Sequence, residues 1–339
     1  MYWFPFGFKR DEYFRKQISN VTLFQTLWQC ESKEVKVNNA HISSICLTFE
    51  PHYTYTLKIA STISELDKML SPYRKDGKSI GFVPTMGALH KGHISLVSLS
   101  IHENDVTVCS IFVNPTQFND PADLKRYPRP VDNDREMLEA AGCNILFTPS
   151  VEEMYPQNDY TLLNEDFGML DKVMEGKSRP GHFAGMITIV SKLFNYVKPD
   201  KAYFGNKDFQ QLTIVKYFVK KHRLPILIRE CPISRDTDGL AMSSRNRLLT
   251  TEERRSAVFI PTTLYKVKEM WGKESVAALR AFVGSEFTKN TILKLDYFEI
   301  VHLDTLMPIL DSFTKETPVI ACIAAFAGKI RLIDNIRLQ

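Results

Sequence analysis

The 339-residue chain predicts an α/β protein built on a doubly wound parallel sheet, with a smaller α+β domain after it. Three observations lead there. Short apolar runs at 80–83, 106–113, 145–147, 202–204 and 226–228 are separated by stretches at helical spacing, which is the alternation of a parallel sheet. The run at 106–113 is rich in β-branched residues and shows no polar alternation, as a strand covered on both faces should. Beyond Ser244 the rhythm changes to two helical patterns followed by three strand-like runs, which marks a second domain.

Residues 1–55 stand apart. Their opening, MYWFPFGFKRDEYFRK, is aromatic and basic, yet it carries Asp11 and Glu12 and lacks the apolar core and cleavage site of a secretory signal. They read as a poorly ordered extension of a cytoplasmic protein, with an organellar presequence as the alternative. From Thr56 the pattern is regular. An amphipathic segment (Ile63, Leu66, Met69, Leu70) runs to a break at Pro72 and a turn at Asp76-Gly77. The first core strand, 80–83, is closed by Pro84; a glycine turn and a helix carrying Ile94, Leu96, Val97 and Ile101 follow.

After the strand at 106–113 come a loop, a polar stretch ending in Asp132 and Asp134, a helix through Met137 and Leu138, and the strand at 145–147. Met186, Ile187, Val190, Leu193, Phe194 and Val197 form a buried helix face that stops before Pro199. The strand at 202–204, a helix over 208–222 and the strand at 226–228 complete a Rossmann-like domain spanning 56–232. In the second domain, 233–339, Thr250 and Glu253 form a capping-box pattern for a helix containing Ala257, Val258 and Leu264, kinked at Pro261. A helix over 275–288 and strands at 297–301, 319–325 and 330–333 follow, with turns at 315–318 and at Gly328-Lys329.

Composition excludes several classes of function. With 44% hydrophobic and 24% charged residues the chain is globular in type, and no apolar run approaches the ~18 residues of a membrane span. The net charge of +4 is spread along the chain, so no nucleic acid and no membrane is expected as a partner. Cys30, Cys46, Cys109, Cys143, Cys231 and Cys322 show no paired spacing and read as buried thiols of a reducing compartment.

Ligands of an open α/β sheet bind beyond the carboxyl ends of its strands, so the loops there carry the chemistry. The first, after 80–83, holds Gly87, Gly92, His90 and His93 at the start of a helix, where free backbone N–H groups favour a phosphate and two imidazoles lie beside it. No cysteine or further carboxylate follows at ligand spacing, so no protein metal site is expected. After 106–113, Asn114 and Gln117 supply neutral amides that bind hydroxyls and carboxylates. After 202–204, Gly205 permits close approach, Lys207 suits phosphate and Asp208 suits ribose hydroxyls, with Gln210 and Gln211 behind them. At the domain boundary Ser243, Ser244 and Arg245 can close on a triphosphate. Read singly, Lys207 is also a solvated charge, Asp208 a helix cap and Ser243-Ser244 a capping pair.

The His-x-Gly-His turn resembles the signature of the nucleotidyltransferase superfamily. The blocks PTMGALHKGH (84–93), SIFVNPTQF (110–118), EGKSRPGHFAGM (175–186), PDKAYFGNKDFQQL (199–212), DGLAMSSRN (238–246) and RLIDN (331–335) together resemble the pantothenate synthetase (pantoate–β-alanine ligase) family over 56–339. The resemblance implies ATP-dependent ligation of (R)-pantoate to β-alanine through pantoyl adenylate, with release of pyrophosphate and AMP. Carried over by position, Gln117 and Gln211 hold pantoate and β-alanine, and His90 and His93 stabilise phosphoryl transfer, His93 standing at the proton-donor position. Met86, Gly87, Ser234 and Met242 line the nucleotide site, Gly205 and Asp208 meet the ribose, and Lys207, Ser243, Ser244 and Arg245 grip the phosphates. Mg2+ is expected as the counter-ion of ATP, and a homodimer as the assembly.

Two site positions depart from the family pattern: Asn206 stands where Glu is usual, and Ser234 where an apolar residue is usual, its adenine contact being expected from backbone. Two other readings stay open. An adenylyltransferase of the same fold would act on a different small acid, which substrate profiling without pantoate distinguishes. A catalytically silent nucleotide-binding scaffold would bind ATP without releasing pyrophosphate.

Overall fold

The computed structural model describes residues 56–310 and 318–338. The expected N-terminal extension, with Cys30 and Cys46, and most of the turn expected at 315–318 lie outside the described residues. Six parallel strands form the main sheet: β1 (Lys58–Ala60), β2 (Ile80–Thr85), β3 (Val106–Ile111), β4 (Ile145–Phe147), β5 (Lys201–Gly205) and β6 (Leu227–Cys231). Their order is β1-β4-β3-β2-β5-β6. From β2 the chain winds outward through β3 and β4, then returns to lay β5 on the other side of β2. The strand order therefore reverses between β2 and β5, where the crevice for a ligand opens in such sheets.

The linking helices are α1 (Ile63–Lys75), α2 (Lys91–Glu103), α3 (Val131–Ala140), α4 (His182–Val197) and α5 (Phe209–Lys221), with shorter turns between them. α4 is buried along most of its length, including Ile187, Leu193 and Val197, because it packs over the centre of the sheet beside Phe82 and Phe204. Glycine matters where α4 meets the loop after β3: a Cβ on Gly185 would run into the Thr116 carbonyl. The helix can therefore press its backbone against the loop after β3.

A second sheet is antiparallel, β7 (Leu293–His302), β8 (Val319–Ala327) and β9 (Ile330–Arg337) in that order. α6 (Thr251–Ala257), α7 (Phe259–Met270) and α8 (Val276–Thr288) pack on it. β8 is buried on both faces: Ile320 and Cys322 join the main core, while Ala321, Ile323 and Ala325 join a second core with Ile260, Leu264 and Val283. The described residues accordingly form one compact unit.

Four local expectations need correcting. α1 does not break at Pro72 but continues to Lys75. Proline removes one helical bond there; the next turn is held by Arg74, which donates to Asp67 (2.9 Å) and to the Val197 carbonyl (3.0 Å). β2 passes through Pro84 to Thr85, since its pairing with β5 is complete at Phe82. The helix expected to kink at Pro261 divides at Val258 instead, and Pro261 occupies the first turn of α7, where its missing N–H would have no helical partner anyway. Asp132 and Asp134 lie inside the first turn of α3, not before it. The edge strand β1 was not expected, because three residues with only Ala60 buried show no period.

Candidate active site

The loops after β2 and β5 face each other across the strand-order reversal, and the stretch after β6 closes over both. A cavity of about 210 Å³ lies between them. Met86, His90, His93 and Gln117 line it from the β2 and β3 side, Gly205, Lys207, Asp208 and Gln211 from β5, and Ser234, Met242, Ser243, Ser244 and Arg245 from the closing stretch. Gly87 is the exception. It is buried behind the turn at φ +78°, where a Cβ would press on Ile111 and Asp134, so it shapes the loop without facing the cavity.

His90 is the N-cap of α2. Its Nδ1 accepts the Gly92 N–H at 3.1 Å, while the His93 Nδ1 accepts the His90 N–H at 3.3 Å, which makes a capping box out of two imidazoles. A ring nitrogen that accepts a backbone N–H carries no proton, so the proton of each neutral ring sits on Nε2. The rings lie 4.0 Å apart, centre to centre. Burial and the charges of Lys207 and Arg247 lower the His90 pKa to about 4; burial and the neighbouring His90 hold His93 well below the usual histidine value. Both imidazoles are therefore neutral hydrogen-bond donors at pH 7.

The peptide just before His90 is tied on every side. The Asp134 carboxylate accepts the N–H groups of Ala88 and Leu89, both at 2.7 Å. The Ala88 carbonyl takes the Ser244 hydroxyl at 2.9 Å, and the Leu89 carbonyl takes Arg247 at 2.7 Å. These four bonds hold Ala88 at φ +50°, a conformation that an alanine adopts only under such constraint. Ser244 is thus engaged with the histidine turn, while Ser243 caps the following 3-10 turn by accepting the Arg245 N–H at 3.3 Å.

Arg245 pairs with Asp123 at 3.0 Å and lies over the Tyr127 ring at 5.7 Å. Gln117 is held from behind. Asn114 donates to its side-chain oxygen at 3.2 Å, and the His182 Nδ1–H donates to its carbonyl at 2.8 Å. The Gln117 amide nitrogen donates to the Met86 sulfur at 2.8 Å, a weak acceptor that a ligand oxygen would displace. Ser234 and Ser95 share a hydrogen bond of 3.2 Å, so the polar replacement at 234 is satisfied on α2. The Asn206 side-chain oxygen is buried without a partner among the described residues.

A second cavity, of about 300 Å³, adjoins the first and shares Lys207, Asp208, Gln211, Ser243 and Arg245 with it. Its far wall carries Glu175, Arg179 and Arg331. Both Glu175 oxygens are committed, to Tyr297 (2.9 Å) and to Arg331 (2.7 Å), and Arg179 lies 3.8 Å from the carboxylate. Burial lowers the Arg179 pKa, and its guanidinium, on the cavity wall, donates to the Gln117 carbonyl at 3.3 Å. His182, between Arg179 and Gln117, is kept neutral by burial, with a pKa of about 3.

Sequence reasoning placed no role on Asp134, Arg247, Tyr127, Arg179, His182, Asp334 or Asn335. RPGH and RLIDN were visible as blocks, but each works through partners distant in sequence. Mg2+ has no cage here: among the described residues no cluster of three or more His, Cys, Asp or Glu could hold a metal. Cys109, Cys143, Cys231 and Cys322 are buried free thiols.

The pantoate-beta-alanine ligase family matches residues 58–337. A pantothenate synthetase from Bacteroides fragilis (strain YCH46) is 50% identical over 283 residues, covering 84% of this chain and 99% of its own. Among solved structures, pantothenate synthetase from Thermus thermophilus aligns with a TM-score of 0.77 at 39% identity, covering 83% of this chain and 99% of its own. Pantoate-beta-alanine ligase from Francisella tularensis, complexed with beta-gamma ATP and beta-alanine, aligns with a TM-score of 0.70 at 36% identity, covering 84% and 98%.

Proposed function

The chain belongs to the pantoate–β-alanine ligase family, and from that premise we propose which of its residues carry the reaction. The enzyme joins (R)-pantoate to β-alanine using ATP. The pantoate carboxylate attacks the α-phosphorus, the bond to pyrophosphate breaks, and pantoyl adenylate forms. The β-alanine amine then attacks the acyl carbon, loses a proton, and AMP leaves as the amide forms.

The observation that carries the residue assignment is the cavity at the strand-order reversal, where two Nε2–H imidazoles, one ammonium, one guanidinium and two neutral amides converge. Gln117 and Gln211 read the pantoate oxygens without an ion pair that would blunt the carboxylate as a nucleophile. His90 and His93 donate to the phosphate oxygens as charge builds on the leaving pyrophosphate. The triphosphate's own charge raises both imidazole pKa values from their depressed state, so that His93 can hold a proton beside that charge. Lys207, Ser243 and Arg245 bind the β- and γ-phosphates, Gly205 and Asp208 the ribose, and Met86, Ser234 and Met242 the base. Ser244 serves by fixing Ala88, and Gly87 by shaping the turn.

β-Alanine approaches through the adjoining cavity, its carboxylate toward Arg179. The shared wall at Lys207 and Gln211 brings its amine to the adenylate. Mg2+ would be held by the ATP phosphates as their counter-ion, with no carboxylate cage from the described residues, and would supply charge neutralisation there. Residues 233–339 act as a cover over the adenylate. The homodimer and the cytoplasmic location are part of the same proposal; among the described residues no helix is long and apolar enough to cross a membrane.

The test is pyrophosphate release from the purified chain with ATP and magnesium. Release that needs pantoate, followed by AMP release that needs β-alanine, supports the reading. Release driven by another small acid, or ATP binding without any release, overturns it.

A further inference from the structure

The end of β9 reaches back across the molecule to the turn that carries Lys207. Asn335 is 5% exposed, and its side-chain amide donates to two successive carbonyls, Asn206 at 2.9 Å and Lys207 at 3.0 Å. No side chain caps that turn from within. Asn335 is itself held: its backbone N–H donates to Asp334 at 2.8 Å, and its carbonyl accepts from Arg235 at 3.3 Å. Arg235 grips the buried Asp334 carboxylate with both terminal nitrogens, at 2.7 and 2.9 Å, and also donates to the Gly239 carbonyl at 3.0 Å.

Arg235 bridges to Ala241 across the stem of the loop that ends in Ser243, Ser244 and Arg245. One network therefore joins, through β9 of the second sheet, two loops that follow β5 and β6 of the main sheet. A carboxamide is the group such a junction needs, because its two N–H groups meet two acceptors that are adjacent along the chain, and neither carries charge. A carboxylate of the same shape would turn acceptors against acceptors.

We propose that Asn335, fixed by Asp334 and Arg235, is a positioning residue that sets the Lys207 turn and locks it to the stem of the Ser-Ser-Arg loop, so that both loops meet the ATP phosphates in one arrangement. The proposal rests on the reading that Lys207 binds those phosphates. Asn335 touches no substrate; it acts through Lys207. Its removal weakens ATP binding while leaving pantoate binding in place.

The experiment is a double-mutant cycle on the full chain, read as ATP affinity by calorimetry without pantoate, so that no turnover occurs. Asn335→Asp keeps the shape and loses the donors; Asn335→Ser is measured beside it in case the added carboxylate unfolds the strand. In the parent background either variant should weaken ATP binding about tenfold. In the Lys207→Ala background it should weaken it less than about twofold, because the group it positions is gone. Equal losses in both backgrounds, or no loss in the parent, overturn the proposal and leave the role of Lys207 standing. Unchanged ATP affinity in Lys207→Ala alone removes Lys207 from the phosphate site, and the route assigned to Asn335 falls with it.

Discussion

The histidine turn and the Ser-Ser-Arg loop are both read as phosphate-binding loops, yet they are built differently. In the turn, the polar backbone of Ala88 and Leu89 is bonded to Asp134, Ser244 and Arg247, and each imidazole has its tautomer fixed by a backbone N–H. In the loop, Arg245 is paired with Asp123 and stacked on Tyr127, and Ser244 is turned toward Ala88. The first region is complete before substrate arrives; the second must exchange partners to reach a triphosphate. Preorganised donors cost nothing to reorient when charge develops, whereas an exchangeable cation adds binding that depends on what it gives up. The turn should therefore govern the rate of adenylate formation, and the loop the affinity for ATP.

The largest expected effect breaks the chemistry of the turn and spares its shape. Asn is as good an N-cap as the imidazole that now accepts the Gly92 N–H. His90→Asn should lower adenylate formation about 10²-fold, with the melting temperature unchanged within about 2 °C. A loss of stability with activity retained would make His90 a structural cap.

Next comes the clamp. Asp134→Asn replaces a carboxylate that takes two N–H groups with an amide offering one acceptor. The orphaned N–H should cost about 2 kcal/mol and lower the melting temperature by about 5 °C, with adenylate formation down about tenfold. A fall in melting temperature with an unchanged rate would detach the shape of the turn from its function.

A pH dependence separates burial from catalysis. The folded-state pKa values of His90 and His182 lie near 4 and 3, and that of His93 well below 6.5, so between these values and 6.5 the unfolded chain binds more protons than the folded one. Stability should then rise with pH through that window and be lost as pH falls from 6.5 toward 4. The slope of melting temperature against pH over 4–6.5 should flatten in His90→Asn; an unchanged slope would mean that His90 is not buried neutral.

The smallest effect is at the loop. Asp123→Ala frees Arg245 from a half-exposed ion pair and should change the KM for ATP by about two- to threefold, downward, with kcat unaltered. A rise in KM would mean that Asp123 presents Arg245 to the ligand instead of competing for it.

Much of this was legible in the sequence for a physical reason. The parallel strands announce themselves as apolar runs because both faces are covered, and the histidine turn because it sits between one such run and an amphipathic helix. Pro72 and Pro84 misled because tertiary contacts, Arg74 on α4 in one case and completed pairing in the other, outweigh the local penalty of proline. Asp134, Asn335 and Arg247 were invisible as site residues. Their partners lie 45, about 128 and 158 positions away, and a polar residue in isolation carries no sign of the backbone it will hold.

The most direct measurement follows the oxygen. With both carboxylate oxygens of pantoate labelled with 18O, attack on the α-phosphorus and later departure of AMP must carry one labelled oxygen into AMP, leaving the other in the amide carbonyl. The account predicts AMP with a single label and unlabelled pyrophosphate. AMP without label would contradict it, since the acid would then be activated by some route other than an adenylate.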